Sequence, residues 1–268
     1  MQLTRRRLLQ LSVGNLLAGQ LWPGSLAAKD PPAGSFHFAV LNDLHYLDRR
    51  SGTWFEDRVL PSLRRAEGPP AFIILAGDLA ENGTREQLGP VKDLFDGLRI
   101  PYHVVVGNHD YRTQTDRSVY DDLFPRQSNY SFEHQGWQFI GLDSSEGLRY
   151  QDTSIARATL GWLDDNLPRL NREKPTVVFT HFPLGSEVRY RPRNAEDLLN
   201  KFRDLNLRAV FSGHFHGTTE RTVGRAVLTT NRCCAISRGN HDGSRQKGYF
   251  SCRAHEGQIH RTFVEVTN

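Results

Sequence analysis

The chain has 268 residues, of which 38% are hydrophobic and 24% are charged, and its formal net charge at pH 7 is +4. These values lie in the range of soluble globular proteins and allow one sizeable hydrophobic core. The length alone would also permit two small domains. No linker rich in Ser, Pro and Gly and no block of like charge interrupts the middle of the chain, however, so the composition favours one main domain.

The first 28 residues have the features of an export signal. The run Arg5–Arg7 precedes a moderately apolar stretch, residues 8–22, and residues 25–28 read Ser-Leu-Ala-Ala. The segment resembles a twin-arginine signal peptide, so we expect cleavage after Ala27 and a mature protein in the periplasm or outside the cell. The twin-arginine translocation machinery is then an expected partner of residues 1–27. A buried amphipathic helix and a basic arm are the alternatives.

The apolar stretch of this segment is too short and too interrupted to span a membrane, which needs about 20 apolar residues. The mature form is therefore expected to have no stable membrane span. Removing residues 1–27 takes away three arginines and no acidic residue, so the formal charge falls from +4 to +1. Because proteins that bind nucleic acid through phosphates usually carry a larger basic excess, this charge argues against a nucleic-acid partner.

From residue 36 onward, short apolar runs alternate with polar stretches of helical character, a pattern that predicts an α/β fold. Strands are predicted over residues 36–41, 71–76, 102–106, 176–179 and 209–211, and helices over residues 55–65, 84–98, 160–170 and 195–205. Each of the five strands ends directly in a cluster of Gly, Asp, Asn or His. Because sites in α/β proteins lie outside the carboxyl ends of strands, these clusters are expected at one edge.

After residue 222 the pattern changes to strands alone, predicted over residues 226–236, 248–254 and 258–266, and we expect a terminal meander. The three cysteines, Cys233, Cys234 and Cys252, have no CxxC spacing and do not indicate a zinc cluster. Two alternatives remain open for them. Cys252 forms a disulfide with one of the adjacent pair, or all three are buried thiols.

Seven oxygen and imidazole donors follow the predicted strands: Asp43, His45, Asp78, Asn108, His181, His214 and His216. One such residue at a strand end is more often a helix cap than a ligand, but the coincidence of seven is hard to explain structurally. Two divalent ions about 3.5–4 Å apart repel each other and need a bridging carboxylate with several fixed ligands, and Asp78 is the predicted bridge. Mixed imidazole, carboxylate and amide ligation favours Fe, Mn or Zn.

The motifs Asp43-x-His45, Gly77-Asp78, Gly107-Asn108-His109-Asp110, His181 and Gly213-His214-x-His216 together resemble those of the calcineurin-like metallophosphoesterases. The resemblance covers roughly residues 36–265, and we assign residues 36–268 to this domain. It implies a four-layer sandwich of two mixed β-sheets flanked by helices. A dinuclear metal site is then expected at the strand ends.

The resemblance also implies roles for individual residues. Asp43, His45, Asp78 and His216 would bind the first ion, and Asp78, Asn108, His181 and His214 the second. His109 would not be a ligand but would protonate the leaving group or stabilise the transition state, with Asp110 as a neighbouring carboxylate that orients it. A water that bridges two divalent or trivalent ions would attack phosphorus in line.

Departures from other branches of the family narrow the expected substrate. Glu81 stands where purple acid phosphatases have the tyrosine of Gly-Asp-x-x-Tyr and where protein Ser/Thr phosphatases have Asp. The start Asp43-x-His45 with Gly107–Asp110 is nearer to the bacterial cyclic-nucleotide phosphodiesterases, so small phosphodiesters are the expected substrates. An exported nuclease, a phosphomonoesterase and a metal-bound interaction scaffold are the alternatives.

The tetrapeptide of Gly107–Asp110 occurs a second time, as Gly239–Asp242. The second copy comes after all other candidate ligands in the chain and between predicted strands, where Gly and Asn supply the backbone angles of turns. We therefore predict a turn that does not line the site.

A small basic loop follows His181 and contains Arg189, Arg191 and Arg193. These side chains are either solvated or form a lip that holds an anionic substrate. Apolar or stacking faces for that substrate are expected from Tyr46, Phe182 or Phe215.

Overall fold

The computed structural model describes residues 34–65 and 68–267. The predicted signal peptide, residues 1–27, lies outside the described residues, and its assignment stays a prediction. Within the described ranges, no helix combines the length and the apolar character that crossing a membrane requires.

Within the described residues, eleven strands form two sheets. The strands are β1 (Phe36–Leu41), β2 (Ile73–Ala76), β3 (Tyr102–Val105), β4 (Tyr130–His134), β5 (Trp137–Leu142), β6 (Thr176–Thr180), β7 (Leu207–Ser212), β8 (Thr219–Val223), β9 (Ala226–Thr230), β10 (Lys247–His255) and β11 (Gln258–Val266). The first sheet has the order β11-β10-β1-β2-β3, and the second has the order β4-β5-β6-β7-β9-β8. Both sheets contain parallel and antiparallel pairs.

The helices of the described residues are α1 (Arg49–Trp54), a π-helical turn (Phe55–Val59), α2 (Leu60–Arg65), α3 (Arg85–Leu98), a 3-10 turn (Asn108–Asp110), α4 (Ser118–Leu123), α5 (Arg157–Asn166), a second 3-10 turn (Leu167–Arg169) and α6 (Ala195–Lys201). The first helix begins six residues before its predicted start, because the Asp48 side chain accepts hydrogen bonds from the backbone N–H groups of Arg50 and Ser51. The long helix α3 lies within one residue of its prediction.

The two sheets pack face to face through an aromatic core. Phe38 of β1 and Phe72, which directly precedes β2, contact Phe139 of the second sheet, with ring centroids 5.6 and 5.0 Å apart. Because side chains alternate along a strand, Leu41 of β1 points the other way, into the core beneath α1–α4. The outer face of the second sheet is covered by α5 and α6. The predicted four-layer sandwich of two mixed sheets is therefore confirmed.

The predicted terminal meander is wrong. β9 lies parallel to β7 in the second sheet, whereas β10 pairs antiparallel with β1 in the first, so the chain crosses between the sheets. The crossing residues follow β9, which ends at Thr230. There the backbone N–H groups of Cys234 and Ala235 each donate to a carbonyl, those of Asn42 and Asp43, at 3.1 Å. An apolar pattern indicates a strand but not which sheet the strand joins, and this explains the error.

A β-hairpin was missed at β4 and β5. Gln135 and Gly136 connect the two strands with positive φ angles of 45° and 81°, as in the two-residue turns that match the twist of a hairpin. The flanking alternation of Tyr130 and Phe132 was the available signal. β8 was also missed.

All three cysteines are buried and free. Cys234 belongs to the core beneath α1–α4, whereas Cys252 belongs to the core between the sheets. Of the two alternatives, the structure therefore supports three buried thiols and shows no disulfide between Cys252 and the adjacent pair.

Candidate metal centre

The candidate site lies where five strands of two different sheets end. In the first sheet β1 leads to Asp43 and His45, β2 to Asp78 and β3 to Asn108, and in the second sheet β6 leads to His181 and β7 to His214 and His216. We expected the edge of one sheet, and the structure corrects this. The strand ends of the two packed sheets meet, and all seven predicted donors come together there.

A first group of donors consists of Asp43, His45, Asp78 and His216, which are buried and place one ligand atom each within 4.8 Å of one another. The Nε2 atoms of His45 and His216 are 3.2 Å apart. His45 Nε2 is 3.6 Å from Asp78 Oδ2, and His216 Nε2 is 3.3 Å from Asp43 Oδ1. Two imidazoles and two carboxylates that face one point suit a transition-metal ion.

A second group consists of Asp78, His181 and His214, also within 4.8 Å of one another. His181 Nε2 is 3.2 Å from Asp78 Oδ1, from Asn108 Oδ1 and from His214 Nδ1. Asp78 is common to both groups and turns one carboxylate oxygen towards each of them. It therefore occupies the position that a bridging carboxylate requires.

The outward nitrogen of each imidazole lies close to an oxygen atom, and for three of the four rings it forms a hydrogen bond. His181 Nδ1 donates to the carbonyl of Ala76 (3.0 Å), His214 Nε2 to that of Tyr150 (2.7 Å) and His216 Nδ1 to that of Gly239 (3.2 Å), while His45 Nδ1 lies 3.1 Å from Glu81 Oε2. Because a carbonyl can only accept, these ring nitrogens carry the hydrogen. When these rings are neutral, the nitrogen turned towards the site keeps its lone pair, as in metal-binding histidines, and the residues present fit metal ions.

The buried charges of the site shift one another's pKa values. Burial opposes ionisation of Asp78, but the nearby His181 and His109 rings outweigh it and hold the pKa of Asp78 well below its usual range. Burial also opposes a charged His181 ring, yet Asp78 and Asp43 raise the pKa of His181 to about 9. Burial and the neighbouring His181 lower the pKa of His214 to about 3. The carboxylates thus need positive charge close by, which is what a bound cation supplies.

The backbone of the site is unusual. Five of the seven donors have left-handed φ angles: Asp43 (53°), His45 (42°), Asp78 (50°), His214 (64°) and His216 (46°). This conformation costs about 1 kcal/mol or more for each residue other than glycine, and such residues cluster at functional sites. Sharp turns at the strand ends therefore aim these side chains at common points.

Two glycines make room for this arrangement. Gly77 has a φ of 81°, and a Cβ atom there would lie 2.5 Å from His181 Nδ1. A Cβ atom at Gly107 would collide with the Asp78 carboxylate. The glycine of the Gly-Asp motif is thus required by the close approach of the two sheets, and that of the Gly-Asn-His-Asp motif by the close approach of two neighbouring loops of the first sheet.

His109 lies beside the two groups without belonging to either. Its Nδ1 atom donates to the carbonyl of Glu81 at 2.8 Å, and its backbone N–H donates to Asp78 Oδ1 at 2.9 Å. The ring is about 30% exposed and lines the pocket above the site. Nε2 is therefore the ring atom left for a ligand.

The structure corrects the role predicted for Asp110, which does not contact the His109 ring. Its buried carboxylate accepts hydrogen bonds from the backbone N–H groups of Leu79, Ala80 and Gly107, at 2.8, 3.0 and 2.8 Å, and so joins two loops. Burial, followed by the charge of Asp78, raises the pKa of Asp110 to about 7.

Glu81 is the carboxylate that lies beside His109, and the sequence did not identify it. Its Oε1 atom is 3.9 Å from His109 Nδ1, and its Oε2 atom accepts a hydrogen bond of 3.0 Å from Arg238 Nε. Burial opposes ionisation, but the contacts with His45 and Arg238 lower the pKa of Glu81 to about 2. Other branches of the family have Tyr or Asp at this position, and this difference was the sequence signal that could have identified Glu81.

A pocket of about 330 Å³ opens onto both groups. Besides His109 and the candidate ligands, it is lined by Leu148, Tyr150, Tyr190, Arg238 and His241. The pocket therefore contains aromatic and basic side chains from loops that the strand-end motifs do not include.

The predicted stacking residues do not line this pocket. Tyr46 belongs to the buried core beneath α1–α4, and Phe182 is fully buried against the His214 ring, with centroids 4.0 Å apart. The Phe215 ring lies 6.1 Å from that of His241, beyond the pocket lining. The aromatic side chains that line the pocket in their stead are Tyr150 and Tyr190.

The turn predicted at the second tetrapeptide is close to the site after all. The backbone N–H of His241 donates to the carbonyl of His216 at 2.8 Å, and the two rings are 5.3 Å apart. The crossing of the chain between the sheets brings this loop back to the strand ends, so the expectation that it would not line the pocket is wrong.

The basic loop is mostly engaged in structural contacts. Arg191 donates to the carbonyl of Leu184 and forms an ion pair with Glu196, both at 2.8 Å. Arg193 lies 3.3 Å from Asp152. Arg238, from a different loop, is the arginine that lines the pocket.

The chain is similar in sequence to two curated phosphodiesterases. It is 26% identical to a glycerophosphodiester phosphodiesterase from Enterobacter lignolyticus over 189 residues. This match covers 64% of the chain and 65% of the relative. It is also 26% identical to a cAMP/cGMP dual specificity phosphodiesterase from Mycobacterium tuberculosis over 228 residues. This match covers 78% of the chain and 71% of the relative. Several curated relatives are matched over less than two thirds of their own length.

A solved structure and a family profile complete the comparison. The structure of a dimetal phosphatase from Danio rerio superposes with a TM-score of 0.67 at 17% identity, over 88% of this chain and 98% of that chain, and has the same fold. The profile described as calcineurin-like phosphoesterase matches residues 36–218. The chain therefore belongs to the calcineurin-like phosphoesterase family.

Proposed function

We propose that the chain is a dinuclear metallophosphoesterase that hydrolyses small phosphodiesters. The observation that carries the proposal is the double arrangement of buried donors around Asp78. Three of the imidazoles are held by a hydrogen bond on the outward side, and the fourth, His45, lies 3.1 Å from a Glu81 carboxylate oxygen. Membership of the calcineurin-like phosphoesterase family supports the reaction class.

The residues fall into two ligand sets that share Asp78. Asp43, His45, Asp78 and His216 would hold one ion, and Asp78, Asn108, His181 and His214 the other, with Fe, Mn and Zn as the candidates. When bound, the two cations supply the charge that acidifies a water molecule and neutralises phosphoryl oxygens.

His109 would transfer a proton to the leaving oxygen. Because its Nδ1 hydrogen is held by the Glu81 carbonyl, Nε2 is the atom that gives the proton. The carboxylate of Glu81, 3.9 Å from Nδ1, stabilises the charged ring while the proton is in place. Arg238, held by Glu81, adds a cation at the pocket wall.

Small diesters are favoured over long polymers as substrates. Relatives of the chain are named as glycerophosphodiester and cyclic-nucleotide phosphodiesterases. The pocket of about 330 Å³ suits a small molecule, and the formal charge of +1 left after removal of residues 1–27 does not favour nucleic acid.

The substrate class can be tested by one screen. The protein is reconstituted with Mn, Fe or Zn and assayed in one buffer against aryl mono- and diesters, cyclic nucleotides, glycerophosphodiesters, nucleotide sugars and single-stranded DNA. We expect the highest kcat/KM for a small diester. A higher value for monoesters contradicts the diester assignment, efficient DNA cleavage indicates a nuclease, and no turnover with two metals bound indicates a scaffold.

We also propose export through the twin-arginine route to the periplasm or beyond, on the basis of Arg5–Arg7 and the segment that follows. Replacing all three arginines by lysine keeps the charge and removes the recognised pair. The precursor should then stay in the cytoplasm. Normal delivery of this variant contradicts the proposed route.

A further inference from the structure

We infer that the pocket binds a planar apolar group of its substrate, such as an aryl ring or a nucleobase, against Leu148, Tyr150 and Tyr190. We call these three residues the apolar wall. The inference rests on the proposed function and deepens it, because it names the chemical class of the group esterified to phosphate.

The exposure of the apolar wall is the first observation. Among the described residues, the exposed large hydrophobic side chains are Leu47, Leu148, Tyr150 and Val223. Two of them, at 44% and 55% exposure, lie two positions apart and both line the pocket over the candidate ligands. Exposed apolar side chains grouped at a pocket mark a binding surface, whereas single ones elsewhere need no explanation.

The wall is anchored to the metal centre. The carbonyl of Tyr150 accepts the hydrogen bond of 2.7 Å from His214 Nε2, so this residue cannot move without disturbing a candidate ligand. The backbone N–H of Leu148 donates to Gln114 Oε1 at 3.2 Å, and Gln114 Nε2 donates to the carbonyl of Glu146 at 2.9 Å. A loop held at both ends can keep two apolar side chains exposed in a fixed position.

Tyr190 completes the wall from a second loop. Its ring lies 6.2 Å from that of Tyr150 at 66° and 5.2 Å from that of His214 at 75°. The Arg189 guanidinium lies over the Tyr190 ring, 4.5 Å from its centroid. Edge-to-face neighbours fix the orientation of a tyrosine ring, and the face of Tyr190 opposite Arg189 is the one inferred to take a further ring.

The pocket lining therefore combines a polar, charged set of side chains with an apolar one. Arg238, the candidate ligands and His109 supply polar and charged groups for a phosphoryl group, whereas the apolar wall offers no such group beyond the tyrosine hydroxyls. A substrate with phosphate at one end and a planar ring at the other matches both sides, whereas glycerol would leave the wall exposed to water. Stacking on aromatic side chains is worth enough to change affinity about tenfold.

Binding to the metal-reconstituted protein tests this inference independently of turnover. Phenylphosphonate, cyclohexylphosphonate and methylphosphonate carry the same acid group and no ester bond, so none is consumed during calorimetry. We expect the dissociation constant of phenylphosphonate to be about tenfold lower than that of methylphosphonate. Tyr150→Ala should remove most of this difference, and Tyr150→Phe should keep it.

Val223→Ala is the matched control, because Val223 is also exposed but lies outside this pocket. It should leave all three constants unchanged. Equal affinity for phenyl- and methylphosphonate, or no binding of either, overturns the inference. Cyclohexylphosphonate binding as tightly as the phenyl compound overturns the planar requirement.

The proposed function fails separately. If phosphoesters are not hydrolysed while the phenyl preference persists, the apolar wall stands and the enzyme assignment falls. If phosphoesters are hydrolysed but phenylphosphonate binds no more tightly than methylphosphonate, the enzyme assignment stands and the inference about the apolar wall falls.

Discussion

Asp78 Oδ1 lies 3.2 Å from His181 Nε2, and this contact joins a strand end of the first sheet to a strand end of the second. The other carboxylate oxygen of Asp78 lies 3.6 Å from His45 Nε2. Because one side chain serves both groups of donors, a change at Asp78 should differ in its effect from a change at any other candidate ligand.

Asp78→Asn should lower occupancy of both metal sites, because it removes the negative charge that the two cations would share. Elemental analysis of the reconstituted protein should find about two ions in the wild type and close to none in the variant. Asn108→Ala is the matched control and should lose one ion, since Asn108 belongs to the second group alone. Loss of a single ion from Asp78→Asn contradicts the bridging role.

His109→Ala should keep the metal content and lower turnover by about 10²–10⁴-fold for a diester with a poor leaving group. An activated aryl diester should lose less, because its leaving oxygen needs no proton. The ratio of the two rate losses is the measurement. Equal losses assign His109 to electrostatic stabilisation of the transition state.

Glu81→Gln should weaken the first metal site by about 10–100-fold, because the carboxylate 3.1 Å from His45 Nδ1 keeps that ring oriented and basic. Competition with a chelator measures the affinity. The second site should be unaffected, since the nearest contact of Glu81 with the donors is His45. Equal weakening of both sites indicates a general loss of structure.

Asp110→Asn should destabilise the fold by about 1–3 kcal/mol. Oδ1 of the carboxylate accepts from Leu79 and Ala80 and Oδ2 accepts from Gly107, whereas an amide keeps only one acceptor oxygen and turns its NH₂ towards the remaining N–H. Urea unfolding measures the change. If stability is retained and only turnover falls, Asp110 acts in catalysis and not in holding the two loops.

His103 should make stability depend on pH. Burial, and then the neighbouring His134, lower the pKa of His103 to about 4, and its ring stacks on Phe132. In the unfolded chain the pKa is about 6.5, so below that pH the unfolded chain binds the proton first. The stabilisation is present above pH 6.5 and is lost as the pH falls towards 4.

The test of this dependence compares His103→Phe, which keeps an aromatic ring, with the wild type. From pH 7 to pH 5, the wild type should lose about 1–2 kcal/mol more of its free energy of unfolding than the variant. His260→Gln, at an exposed position, controls for the loss of a histidine. Identical pH profiles of wild type and His103→Phe contradict the prediction.

The sequence was sufficient to place the candidate donors at the strand ends but not to identify the residues around them. Each donor lies within four residues of the end of a strand, and local pattern locates strand ends well. Glu81 and Arg238 are 157 residues apart, and their contact depends on the chain crossing between the sheets after β9. The same crossing brings His241 beside His216, and no local pattern encodes it. Asp110 was misassigned because adjacency in sequence does not tell which way a side chain points.

The division of the donors between two sheets also orders events during synthesis of the chain. When residue 108 has been made, Asp43, His45, Asp78 and Asn108 are present, yet neither ligand group is complete. His214 closes the second group and His216 the first, and β10, which pairs with β1, is made later still. Neither ligand group can therefore be complete before residues 214 and 216 have been translated and the strand ends of the two sheets have met.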